Sequence, residues 1–148
     1  MKRIHLLFGL IVAAAVPARA DDTYQVSKTD AVVAVGIPGK ASITVSAKQG
    51  WHLNAEAPLT LKLGSTPGLQ TEKTKLGRAD LALSTETQAR FDIGVTASEP
   101  GKKTLEADVG FVLCREDACR PIKQKVSLVV DCAHAKQAEP AKKTKKKS

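Results

Sequence analysis

The sequence predicts an all-β domain, a sandwich of two sheets, and three observations carry that reading. Apolar and polar residues alternate with period two in segment after segment. Clusters of Gly, Pro, Ser and Asn interrupt the alternation at short intervals. Outside the first 20 residues, no stretch long enough for a helix shows a convincing helical period.

Taken in order, a short acidic leader precedes residues 31–35, AVVAV, the first candidate strand, which Gly36-Ile37-Pro38-Gly39 closes. Residues 41–47 place Ile43 and Val45 on one face and Ser42, Thr44 and Ser46 on the other, the pattern of a half-buried strand. Lys48-Gln49-Gly50 turns the chain into Trp51-His52-Leu53-Asn54 and a loop that ends at Pro58. Residues 59–63 alternate again, with Leu59, Leu61 and Leu63 inward, and Ser65-Thr66-Pro67-Gly68 stops them. A weaker signal covers residues 80–84. Residues 90–97 set Phe91, Ile93 and Val95 on a shared face before a turn at Ser98-Glu99-Pro100-Gly101. Leu105, Ala107, Val109, Phe111 and Leu113 then line one face, with Gly110 read as a β-bulge. Ile122, Val126, Leu128 and Val130 fit the partner strand.

About seven to nine short strands in a chain of this length point to an immunoglobulin-like β-sandwich, with an OB-like or jelly-roll barrel as the alternative. The Cys-Trp-Cys order of antibody domains is missing, because Trp51 precedes all three cysteines. No internal repeat is visible.

Residues 1–20 have the layout of a secretory signal peptide: Lys2 and Arg3, an apolar run over 4–16, then Pro17 and the small-residue site Ala18-Arg19-Ala20. That run is too short for a bilayer span, which takes about 20 residues. Cleavage is expected after Ala20, with no cysteine there to carry a lipid, so the mature protein is expected to be exported to the periplasm as one domain over 21–135. Oxidising conditions make a disulfide the default for two close cysteines.

The net charge of +8 is unevenly spread. Residues 21–135 hold 14 Lys plus Arg against 14 Asp plus Glu, whereas residues 136–148 hold six lysines against Glu139. This lysine-rich tail has no large apolar residue and is expected to be disordered. Its natural partner is an anionic surface, or none, if it only solubilises. Nucleic acid is not expected as a partner: Trp51 and Tyr24 are the sole Trp and Tyr, too few for a stacking platform.

The chemistry concentrates in residues 111–125, FVLCREDACRPIKQK, where Cys114 and Cys119 flank a four-residue loop between two strands. A redox-active pair, a metal site and a hairpin clamp are the readings to weigh. Facing residues in antiparallel strands lie close enough for a disulfide. A loop this small gains only about 2 kcal/mol from cross-linking, so stability alone motivates the bond weakly. Arg115 and Arg120 favour a thiolate, while Glu116 and Asp117 oppose it. Exposed disulfides on short loops are the labile ones, and Pro121 stiffens the second strand.

A metal site would have to combine Cys114, Cys119, Cys132, His52 and His134, but no ligand spacing supports it, so no metal and no cofactor are expected. Cys132 leaves an odd thiol, free for an intermolecular bond or for a bridge to either hairpin cysteine. Hydrolase and nucleotide motifs are absent.

Phe111-Val112-Leu113-Cys114, Cys119-Arg120-Pro121, the Gly50-Trp51-His52-Leu53-Asn54 segment with Pro58-Leu59, and the leader together resemble the N-terminal periplasmic domains of DsbD-type disulfide-interchange proteins over roughly residues 30–130. The resemblance implies an immunoglobulin-like sandwich whose cysteine pair relays electrons from a membrane thiol-redox protein to periplasmic thioredoxin-like partners. It makes Cys114 and Cys119 the exchanging pair, Cys119 the one presented to the partner, and the region of Trp51 and His52 its shield. The spacer is one residue shorter than in the better-known members, and a free-standing domain is expected. Without the resemblance, the residues fit a non-catalytic binding or scaffold module equally, its hairpin clamped by a structural disulfide.

Overall fold

The computed structural model describes residues 22–134, so the leader and the lysine-rich tail lie outside the described residues. Among the described residues eleven strands form two sheets. The first follows the order β1 (Tyr24–Thr29), β3 (Gly39–Ala47), β9 (Gln88–Ala97), β6 (Leu69–Thr71), and β8 (Leu81–Ser84) shares the far edge of β9 with β6. The second follows β2 (Ala31–Ala34), β11 (Ala118–Ala133), β10 (Gly101–Arg115), β5 (Thr60–Leu63), β7 (Lys75–Leu76), and β4 (His52–Leu53) pairs β10 beyond β5. Every pairing is antiparallel except β2 with β11.

This is the immunoglobulin-like sandwich: β1, β3, β9 and β6/β8 face β5, β10 and β11, in the chain order of that fold's two sheets. Period-two alternation explains it. Ile43, Val45, Phe91, Ile93 and Val95 project from one sheet, and Leu61, Leu105, Val109, Leu113, Leu128 and Val130 from the other. All are at most 1% exposed, and among the described residues no polar side chain is buried with them. No helix among the described residues is long and apolar enough to cross a membrane.

Several details differ from the sequence reading. The acidic leader contains a strand, β1, whose only inward side chains, Tyr24 and Val26, are half-buried and too few to signal a period. The short strands β4, β6 and β7 were hidden in loop-like composition. At 15 and 16 residues, β10 and β11 are long rather than short. They pair without interruption, so Gly110 is no bulge; the irregularity lies between Leu81 and Leu83 where β8 meets β9. Gly110 answers to close packing instead, since a Cβ there would come within 3.1 Å of Thr60 Oγ1.

The chain changes sheets at Asp30, between β1 and β2. Its carboxylate accepts a 2.8 Å bond from the Val129 amide, one residue short of the first β2–β11 pair, and a 3.1 Å bond from Lys28 Nζ. Lys28 also donates to the Ser127 carbonyl at 2.7 Å. The Val129 amide first, and the Lys28 ammonium second, hold the Asp30 carboxyl below its ordinary 3.8. A carboxyl with a depressed folded value adds stability that is complete above its unfolded value and disappears as pH falls through the folded one. Asp30→Asn is therefore expected to destabilise the domain at neutral pH and to narrow its difference from wild type below pH 3.8. Urea midpoints at about pH 7 and about pH 2.5 check this, and an undiminished difference at the lower pH would refute it.

Candidate functional site

The site grows out of the β10–β11 hairpin. Fifteen consecutive residue pairs run from Gly101 opposite Cys132 to Arg115 opposite Ala118, leaving only Glu116 and Asp117 to make the turn. The turn is thus two residues, not four, because pairing continues past the cysteines. Cys114 faces Cys119 with 4.1 Å between Cα atoms, near the spacing of a non-hydrogen-bonded antiparallel pair, and the two are joined as a disulfide. Arg115 Nε pairs with Asp117 Oδ1 at 2.9 Å across the turn.

Alternation along β10 turns Leu105 through Leu113 inward, so the next residue, Cys114, stands on the outer face of the six-stranded sheet with Cys119 beside it. The two cysteines nevertheless differ. Cys114 is only 5% exposed, whereas Cys119 is exposed. The cause is position in the sheet. β10 has neighbours on both sides at this row, β11 and β4, while β2 covers β11 only from Val130 to Ala133. Cys114 thus lies on an inner strand and Cys119 on an edge.

A loop completes the cover. Past β4, Asn54 donates through Nδ2 to Cys114 Sγ at 3.3 Å. Its Oδ1 accepts from the amides of Glu56 and Ala57 at 2.8 and 3.0 Å, an Asx turn that leaves the NH2 group facing the sulfur. The Asn54 amide donates to the Val112 carbonyl at 2.9 Å. Arg78, in a 3-10 turn over Arg78–Asp80, donates to the carbonyls of Asn54 and Ala57 and so ties both ends of the loop. Asn54 was legible only as a turn residue before Pro58. Nothing local marks Arg78, which reaches the loop through tertiary contact.

His52 and Trp51 occupy different sides of this hairpin. His52 is exposed, opposite Cys114 in register, and so on the sulfur face. Trp51 stacks against the arginines, 5.0 Å from the Arg115 guanidinium carbon to the ring centroid and 5.9 Å from that of Arg120. Alternation points Arg115 and Arg120 away from the sulfurs, so Trp51 braces the back of the hairpin and the cover over Cys114 comes from Asn54. A tight turn sets Trp51 there: Gln49 and Gly50 have φ of 50° and 78°, and the Trp51 amide closes onto the Lys48 carbonyl at 3.1 Å. These are the features of a type I′ turn.

Cys132 lies at the far end of β11, opposite Gly101, some 13 residues and about 43 Å of strand from Cys119. A bridge to the hairpin is therefore ruled out. Its thiol is 3% exposed and donates to the Val130 carbonyl at 3.7 Å. Burial pushes it up from the ordinary thiol range, against a smaller opposing effect of Lys103. It offers no accessible sulfur for the intermolecular bond that an odd cysteine suggested. Among the described residues no group of three or more His, Cys, Asp or Glu is placed to hold a metal.

No protein-family model and no curated protein sequence matches the chain. Solved structures similar to it include AggA, the major subunit of aggregative adherence fimbriae type I from Escherichia coli, at 9% identity and TM-score 0.39, covering 74% of this chain and 94% of that one. Others are WR4, a C. elegans MSP family member, at 10% and 0.38, covering 78% and 100%, and a PapD-like domain of human CEP192, at 13% and 0.37, covering 88% and 99%.

Proposed function

We propose that the domain is an exported thiol-disulfide exchange protein that relays electrons through Cys114 and Cys119. One observation carries the reading: the disulfide has an exposed member at a sheet edge and a buried member whose sulfur accepts a hydrogen bond from Asn54. A purely structural bridge has no use for that asymmetry, whereas exchange requires an accessible sulfur and a stabilised leaving group.

In the first step a partner thiolate attacks Cys119 Sγ, the Cys114–Cys119 bond breaks, and Cys114 leaves as a thiolate that Asn54 Nδ2–H stabilises. The partner's second thiol, deprotonated, then attacks the partner sulfur of the mixed disulfide and releases Cys119. Two electrons pass to this domain, the partner is left as a disulfide, and both cysteines take up protons. Running backwards, the same steps reduce a downstream partner. The resemblance to DsbD-type domains names both partners by class, a membrane thiol-redox protein and a thioredoxin-like periplasmic protein. The signal peptide is the basis for periplasmic export.

A specific observation also favours the scaffold reading. Two-residue hairpins prefer turns with left-handed residues, yet neither Glu116 nor Asp117 has positive φ. A covalent link at the adjoining row would hold such a turn closed. In this reading the lysine-rich tail would provide attachment to an anionic surface.

The reduction potential separates the two. On purified residues 21–148, a value above about −250 mV is the expected result for exchange, and one below about −300 mV marks a structural clamp. Trapping with single mutants tests the division of labour between the cysteines. Cys114→Ser is expected to accumulate a mixed disulfide through Cys119, and Cys119→Ser far less; equal trapping by both would contradict that division.

Asn54→Ala removes the donor to Cys114 Sγ. In the reduced protein carrying Cys119→Ser, Cys114 is expected to form its thiolate less readily, since that thiolate has lost a charge-assisted hydrogen bond. The pH dependence of alkylation reads this directly, and an unchanged profile would remove Asn54 from the mechanism.

A further inference from the structure

The outer face that carries the disulfide also carries a cationic groove. It has a volume of about 370 Å³ and is lined by Thr60, Lys62, Asp108, Gly110, Lys123 and Lys125 among others. Register arranges these in rows. Cys114 faces Cys119, then Val112 faces Pro121, then Thr60, Gly110 and Lys123 lie abreast, then Lys75, Lys62, Asp108 and Lys125. Gly110, bare of a side chain, leaves the floor open.

Charge sets this groove apart from an ordinary solvated face. The domain as a whole is balanced, yet three lysines, Lys62, Lys123 and Lys125, line the groove against a single aspartate, and Lys75 lies opposite Lys62 on β7. Among the described residues none of the four is in an ion pair, a state they share with Lys40, Lys48 and Lys102. Like charges directly opposite one another, as Lys62 and Lys75 are, destabilise a sheet. Edge protection accounts for Pro121, Lys123 and Lys125 on β11. It does not account for Lys62, whose strand is paired on both sides.

We propose that this groove docks an acidic, extended segment of the exchange partner, one that runs along β10 and β11 and brings its cysteine over Cys119. Lys123 and Lys125 lie four and six residues beyond Cys119, about 13 and about 20 Å along the strand. An extended segment therefore carries its carboxylates four and six residues from its cysteine, on one face. The inference rests on the exchange reading for where the partner's cysteine sits, but the groove and its charge are independent of any redox step.

The test uses the oxidised full chain and a cysteine-free peptide of about eight residues alternating aspartate with serine. Binding is followed by backbone amide NMR. Shifts are expected at residues 60–62, 108–110 and 123–125, with affinity falling steeply between about 0.02 and about 0.3 M salt. K62Q/K123Q/K125Q is expected to bind at least about tenfold more weakly, and Asp108→Asn more tightly than wild type.

The triple variant retains the lysine-rich tail, so an affinity in it equal to that of wild type would place binding outside the groove and overturn the proposal. So would shifts confined to other faces. Vesicles containing anionic lipid supply the rival occupant: lysine-dependent vesicle binding without lysine-dependent peptide binding would assign the groove to a membrane surface and also overturn it. Because the peptide has no thiol and the one free thiol of the oxidised protein, Cys132, is buried, failure of peptide binding leaves the exchange chemistry standing. Failure of cysteine trapping would take away the exchange partner as the source of the segment but leave acidic-peptide binding in the groove unaffected.

Discussion

The register of β10 against β11 is the constraint on which the rest of this molecule depends. Side chains alternate with period two, so a slip of one residue would turn Leu105, Val109 and Leu113 out of the core and Glu106 and Asp108 into it. Burial of that row holds the register, and with it the row in which Cys114 meets Cys119. A two-residue turn follows from it. Disulfide geometry and hydrophobic packing are thus tied to the same alignment: the sulfurs face each other outward because the leucines face the other sheet.

What distinguishes the two cysteines is sheet order rather than local sequence. The hairpin alone would leave both sulfurs in equivalent surroundings. β4 and the Asn54 loop add a neighbour beside Cys114, while β2 pairs β11 only at its distant end. The switch of the N-terminal segment from one sheet to the other at Asp30 is what keeps β2 there, since β1 joins β3 instead. An edge strand is ordinarily a liability. In this sandwich the unpaired edge of β11 leaves Cys119 open, and Pro121, Lys123 and Lys125 beyond it discourage pairing with a second sheet.

Much of this could be read from the sequence, and the failures have physical causes. The long strands were visible because each buries one face against the opposing sheet, which forces the alternation seen at Ile43 and Val45 or at Phe91, Ile93 and Val95. β1 escaped notice because an edge strand with two half-buried side chains writes almost no period into the chain. The hairpin loop has two residues where the cysteine spacing suggests four, because pairing near a turn depends on backbone geometry, not hydrophobicity. The cysteine pair itself stood out, but its cap did not. Asn54 declares a turn, whereas its bond to Cys114 spans 60 residues and Arg78 reaches it from 24 residues away. The resemblance to DsbD-type domains implies shielding by the region of Trp51 and His52; Trp51 stacks on Arg115 and Arg120, which alternation turns away from the sulfurs.

The disulfide is a small part of what holds the hairpin together. The link closes a loop of only six residues, worth about 2 kcal/mol in chain entropy, while fourteen other residue pairs align the two strands and a continuous apolar core backs them. Under the exchange reading proposed above, the oxidised and reduced states are therefore expected to share one backbone. The equilibrium between them is then set by local terms at the two sulfurs: solvent at Cys119, the Asn54 donor at Cys114, and the charges of Arg115, Arg120, Glu116 and Asp117. Each lies outside the core, although a change at Asn54 also removes the Asx turn that its Oδ1 makes with the amides of Glu56 and Ala57.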